Sequence, residues 1–115
     1  MSDLYSAALD RLSRVPGVRG ALLVETDAGV PVLAELAEGV EGGAVAALAS
    51  SLFRRTNRAA QTAAFGSLRT LQLEADVGHV IVANGGELLI VVIAEKGAQL
   101  GMVRLEAHRA AEALQ

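Results

Sequence analysis

VAALASSLFRRTNRAAQTA, residues 45–63, reads as one long helix with a broad apolar face, and its placement decides how the rest of the chain is assembled. Val45, Leu48, Ala49, Leu52, Thr56, Ala59, Ala60 and Ala63 recur at the i, i+3, i+4, i+7 spacing, so at about 100° per residue they form one stripe, which should rest on a sheet. Ala46, Phe53, Asn57 and Ala64 form a shoulder beside that stripe. Ser50, Ser51, Arg54, Arg55, Arg58 and Gln61 fill the opposite face. Counting Ser50 with the shoulder that it borders, Ala46, Ser50, Phe53 and Asn57 make a second, small-residue surface. A helix with two such surfaces can pack on its own sheet and on another copy of the same chain.

Downstream, Gly66 punctuates the helix, and residues 67–75 read as a strand in which Leu71, Leu73 and Ala75 alternate with Thr70, Gln72 and Glu74. Asp76-Val77-Gly78 turns into the strand HVIVA (79–83), and Asn84-Gly85-Gly86 turns again into LLIVVIA (88–94). Asn-Gly between two apolar runs is a strong hairpin signal. LLIVVIA does not alternate, so both its faces are covered and it belongs at the centre of the sheet. A last amphipathic helix carries Leu100, Val103, Leu105, Ala107, Ala110, Ala111 and Leu114.

Upstream, Ser2 can cap a first helix whose face is Leu4, Ala8, Leu12 and Val15, ended by Pro16-Gly17. VRGALLVE (18–25) is a strand, Thr26-Asp27-Ala28-Gly29 a turn, and residues 30–36 a second strand. Pro31 has no N–H to give a ladder, which puts that strand at an edge. EGVEGG (38–43) leads to the long helix, with Glu41 placed favourably at its N-terminus. The order is α-β-β-α-β-β-β-α, an α/β sandwich with a single five-stranded, mostly antiparallel sheet. The central helix is expected on one face and the two terminal helices on the other, because residues 88–94 need cover on both sides. One domain over residues 1–115 accounts for the length.

Composition narrows the function. The chain of 115 residues has a formal net charge of −3, no cysteine and a single lysine, Lys96. An acidic balance argues against nucleic acid as the main partner. The lack of cysteine removes thiol chemistry and Cys-based zinc sites. The N-terminus has no basic region ahead of an apolar run, and the longest apolar run, 88–94, is far short of the ~20 residues that span a bilayer, so a cytoplasmic protein is expected. Phosphate-loop, dinucleotide, zinc-protease and serine-hydrolase signatures are absent, so no catalytic residue, metal or cofactor is assigned. His79 and His108, the only imidazoles, read as ordinary surface or boundary residues. Gly39, Gly42 and Gly43 could cradle a phosphate, but Glu38 and Glu41 share their loop and would repel one.

Charge placement says more than any motif. Between Gly20 and Glu41 every charge is acidic (Glu25, Asp27, Glu35, Glu38, Glu41), and between Gly42 and Leu73 every charge is basic (Arg54, Arg55, Arg58, Arg69). Arg54, Arg55 and Arg58, with Gln61, either present a basic face to an acidic protein partner or are a solvated helix face.

The run VPGVRGALLVETDAGVPV (15–32), the Ala- and Ser-rich central helix, and ELLIVVIAEKGAQLGMVRLEAHRAA (87–111) together resemble the roadblock family of dynein light chains and bacterial GTPase regulators. The Gly-x-x-Gly-Ala-Leu and Leu-Gly-x-Val-Arg texts carry much of the likeness. Family members often have a polar or acidic turn before the last helix, where this chain has Glu95-Lys96-Gly97-Ala98. The resemblance implies a homodimer in which the third strands, with Leu71 and Leu73, pair edge to edge and the central helices lie side by side. It also implies a non-catalytic platform for small Ras-like GTPases, in some members modulating GTP hydrolysis. An arginine finger must reach the γ-phosphate, and the sequence does not place Arg54, Arg55 or Arg58 there. The alternative reading is a profilin-like or PAS-like small-molecule sensor, against which the aliphatic core speaks.

Overall fold

In the computed structural model, which describes residues 2–115, the eight elements are α1 (Ser2–Ser13), β1 (Val18–Glu25), β2 (Pro31–Leu36), α2 (Gly42–Thr62), β3 (Thr70–Ala75), β4 (Gly78–Asn84), β5 (Leu88–Glu95) and α3 (Leu100–Ala113). The expected Ser2 cap falls outside the described side chains. The five strands form one sheet in the order β2-β1-β5-β4-β3, and every neighbouring pair is antiparallel. β5 sits in the middle, as its unbroken apolar run requires, and β2 and β3 are the two edges.

Alternation along the strands divides two cores. Ala21, Leu23, Ile81, Ala83, Ile90 and Val92 face α1 and α3, where they meet Leu9, Leu12, Val103 and Ala107. Leu22, Val24, Val82, Leu89 and Val91 face α2, meeting Ala46, Ala49 and Phe53. β5 thus buries Leu89 and Val91 on one side and Ile90 and Val92 on the other, all fully. At roughly 1.5–3 kcal/mol for each large aliphatic side chain removed from water, this strand is the main tie between the layers.

Two turns show why the chain reverses where it does. At Asn84 the side-chain Oδ1 accepts from the Gly86 N–H at 2.9 Å, Gly86 takes φ +90°, and Gly85 N–H closes on Leu88 O at 3.0 Å. At the other hairpin Gly29 takes φ +69°, and a Cβ there would stand 2.5 Å from Ser50 Oγ, so only glycine lets the β1–β2 turn lie against α2.

β3 begins at Thr70 rather than at residue 67. The backbone of Leu68 is taken by two asparagine side chains, its N–H by Asn57 Oδ1 at 2.7 Å and its C=O by Asn84 Nδ2 at 2.9 Å. These bonds satisfy the segment without extending the ladder. Glu41 stands at the N-cap position of α2 but makes no side-chain capping bond.

Candidate functional site

The face that α2 presents to the sheet is not the stripe that periodicity selects. Ala46, Ala49, Ser50 and Phe53 are the buried residues of this helix, and Asn57 continues the same line to Leu68. Ala46, Ser50 and Phe53, expected on an outward shoulder, rest instead on the chain's own sheet and turn, with Asn57 half-buried beside them. Of the stripe expected in the core, only Ala49 is buried. Val45, Leu52, Thr56 and Ala60 are half-buried, Ala59 and Ala63 are exposed, and Leu48 is 48% exposed. Ser50 is polar yet inside because its hydroxyl donates to Ala47 O at 3.3 Å within the helix, leaving no unmet donor under the turn.

Rotating the helix in this way sorts its remaining surface into two flanks about 140° apart at 100° per residue. One flank looks towards the β1–β2 turn. There Arg54, Arg58 and Gln61 line an open cleft of about 250 Å³ together with Thr26, Asp27, Phe53 and Asn57. Arg55, grouped with them in the sequence reading, is exposed but does not line that cleft. Arg54 Nε donates to Ser50 O at 3.3 Å, which leaves the rest of its guanidinium available. Among the described residues the salt bridges are Arg14–Asp10 and Arg109–Glu106, so the α2 arginines carry unpaired charge.

The other flank, Val45, Leu48, Leu52 and Ala59, overlooks the β4–β3 half of the sheet. Below it the α2 face continues as Leu71, Val80 and Ile93, partly buried and packed against the core. Leu73 is also half-buried on β3. Val40, Ala75, Val77, Val80 and Ile93 line a mostly apolar cleft of about 310 Å³ at the same end. Two of the most exposed large apolar side chains bracket β3: Phe65 at 84% before it and Val77 at 88% after it. Phe65 is held by a tight helix end, with Phe65 N–H bonded to Ala60 O at 2.8 Å and Ala64 N–H to Gln61 O at 3.0 Å. That closure puts Ala64 at φ +67°, the conformation in which glycine is normally found. Phe65 and Val77 were missed in the sequence; an aromatic one residue before Gly66, in a chain with only three aromatics, was the available signal.

On the opposite face, His108 Nε2 lies 2.8 Å from Thr70 Oγ1, and Arg104 Nη1 donates to Gln72 Oε1 at 3.1 Å, so α3 is stitched to the edge strand. His79, expected at the surface or a boundary, is buried at 6% exposed, and its Nδ1 has no partner among the described residues. No group of metal-binding side chains and no helix long and apolar enough to cross a membrane occurs among the described residues.

The order of elements, the central β5 and the single helix opposite a terminal pair agree with a sequence match to the Roadblock/LC7 domain over residues 4–94. The chain belongs to this family. This roadblock domain is 29% identical over 109 residues to the uncharacterized protein MJ1340 of Methanocaldococcus jannaschii, spanning 95% of each chain. Its fold is similar to that of the gliding protein mglB from Thermus thermophilus, with a TM-score of 0.84 at 24% identity over 97% of this chain and 86% of that one. MglB solved in a tetrameric arrangement is likewise similar, with a TM-score of 0.84 at 25% identity over 98% and 85%.

Proposed function

We propose that this roadblock domain is a non-catalytic, self-associating platform that binds and regulates a small Ras-like GTPase. The observation that carries the reading is the unfinished half of the α2 face: the half-exposed apolar flank Val45, Leu48, Leu52 and the free edge of β3 lie side by side. A free edge is a hazard unless paired or covered, and a twofold partner does both. An antiparallel second β3 brings the Phe65 end of one copy to the Val77 end of the other, covering Leu71 and Leu73 as well.

In that arrangement the apolar flanks of the two α2 helices meet. Arg54, Arg58 and Gln61 of each copy then lie on the far sides of the helix pair, giving two separate basic sites rather than one merged patch. Acidic groups around a GTPase's magnesium site would be attracted to such a surface, mainly through the association rate. The sensor alternative has less support, because the space between α2 and the sheet is filled by Leu22, Val24, Phe53, Val82, Leu89 and Val91.

The test is capture from native lysate, with and without a non-hydrolysable GTP analogue, using wild type and the Arg54→Glu/Arg58→Glu double variant. Wild type is expected to retain a small GTPase and the double variant to lose it while sedimenting as wild type does. Recovery of no GTPase in either nucleotide condition, or undiminished binding by the double variant at low salt, overturns the reading.

A further inference from the structure

Hydrogen bonding along β3 fixes which of its residues address the open edge. Asn84 N–H bonds to Arg69 O at 2.9 Å, one step before the register that runs from Thr70↔Ala83 to Ala75↔Gly78. Antiparallel partners alternate between bonded and non-bonded pairs. Arg69, Leu71, Leu73 and Ala75 therefore spend their backbone groups on β4, and Thr70, Gln72 and Glu74 turn N–H and C=O outward.

The side chains of the outward three lie on the α3 face. Thr70 Oγ1 is 2.8 Å from His108 Nε2, Gln72 Oε1 accepts from Arg104 Nη1 at 3.1 Å, and strand alternation places Glu74 with them. Glu74 and Arg104 are both exposed, and neither forms a salt bridge among the described residues. Leu71 and Leu73, on the α2 face, are half-buried.

These placements choose one register for a second copy, given the self-association proposed above. Of the twofold antiparallel registers that match outward groups with outward groups, three overlap most. With Leu71 on the axis, Leu73 falls opposite Arg69, and Glu74 opposite Leu68, whose N–H and C=O are already held by Asn57 and Asn84. With Leu73 on the axis, Thr70 falls opposite Asp76 in the turn, and the two Glu74 carboxylates become diagonal neighbours. With Gln72 on the axis, every outward residue is matched, Gln72 with Gln72 and Thr70 with Glu74. Leu71 then stands opposite Leu73 twice on the α2 face.

We infer that two copies join their β3 edges about an axis at Gln72, with Glu74 of each copy held by Arg104 of the other. Opposite Thr70, the incoming Glu74 is diagonal to Gln72, the residue that carries Arg104, and diagonal neighbours stay within reach of long side chains. Opposite charges meet twice along the joined edge.

Two experiments test the register and the ion pair. The chain has no cysteine, so single cysteines report on the axis. In a bonded pair the Gln72 Cα atoms would lie ~5.5 Å apart, within the span of a disulfide. Gln72→Cys is expected to cross-link with oxidised glutathione, and Thr70→Cys, whose copies would stand roughly 14 Å apart, is expected not to. In sedimentation velocity, Glu74→Arg and Arg104→Glu should each weaken association at least tenfold, and an equimolar mixture of the two should restore it, because in the mixed dimer each carboxylate again meets a guanidinium. Contacts within one chain cannot give that rescue. Stronger cross-linking of Leu71→Cys or Leu73→Cys than of Gln72→Cys, association of either charge variant as wild type, or a mixture no better than its parts would overturn the inference while leaving self-association standing. Wild type that sediments as a monomer overturns both.

Discussion

Leu48→Ala and Leu48→Glu examine the proposed self-association surface at Leu48, the exposed large apolar side chain of α2. Leu48 already has about half its surface covered within the protomer, being 48% exposed. Completing the burial of a leucine worth roughly 1.5–3 kcal/mol in full leaves about 1 kcal/mol to be gained per copy. A twofold interface counts that contribution twice, so Leu48→Ala should weaken the dimer by about 2 kcal/mol, or roughly 30-fold in Kd. Protomer stability should change little, since the site is open and alanine is the better helix former. Leu48→Glu places two carboxylates in the helix pair and should leave the protein monomeric. Sedimentation velocity over a concentration series reads both effects. Leu105→Glu serves as control, a similarly exposed site at 45% on the opposite face, and should sediment as wild type. Wild type that is monomeric at ~100 µM, above the dissociation constant expected of an interface of ~1,600 Å², would refute the reasoning. So would Leu48→Glu that associates as wild type does.

Two stability variants separate helix geometry from assembly. Ala64→Gly relieves a left-handed residue that costs about 1–2 kcal/mol for an L side chain; after the entropy glycine adds to the unfolded chain, net stabilisation of about 0.5–1 kcal/mol is expected, seen as a rise of a few degrees in Tm. Asn57→Ala strands the Leu68 N–H and should cost about 1–3 kcal/mol in denaturant unfolding. Because Asn57 points inward, it should leave the association constant of the folded protein unchanged.

Much of the architecture was legible because the strands carry their burial in their spelling. LLIVVIA names a strand covered twice, Pro31 names an edge, and Asn84-Gly85 names a turn. The orientation of α2 was not legible for a specific reason. Its apolar residues support two overlapping stripes, and hydrophobicity alone chooses the one with Leu48 and Leu52. The sheet chooses the other, because Ala46 and Ala49 allow close approach, Ser50 sits under the Gly29 turn and Asn57 is needed at Leu68. Two polar residues are inside because of what they bond, and two leucines are outside or half-outside where the protomer has no surface left to cover them. The same rotation decides the arginines: Arg54 and Arg58 share a cleft with Asp27 that no spacing rule reveals, whereas Arg55, their neighbour in sequence, lies outside it. The roadblock resemblance rested on the order of elements and on the short texts at residues 17–22 and 100–104, both of them insensitive to how the central helix is turned about its axis.

Alanine and serine beneath α2 have a mechanical consequence. Along its first three turns the helix touches the sheet through Ala46, Ala49 and Ser50, whose side chains have almost no rotamers with which to absorb a displacement. Close-packed surfaces of this kind transmit a push instead of damping it. A load applied to the arginine flank near Asp27 therefore moves Leu48 and Leu52 with it, as the two edges of one stiff rod.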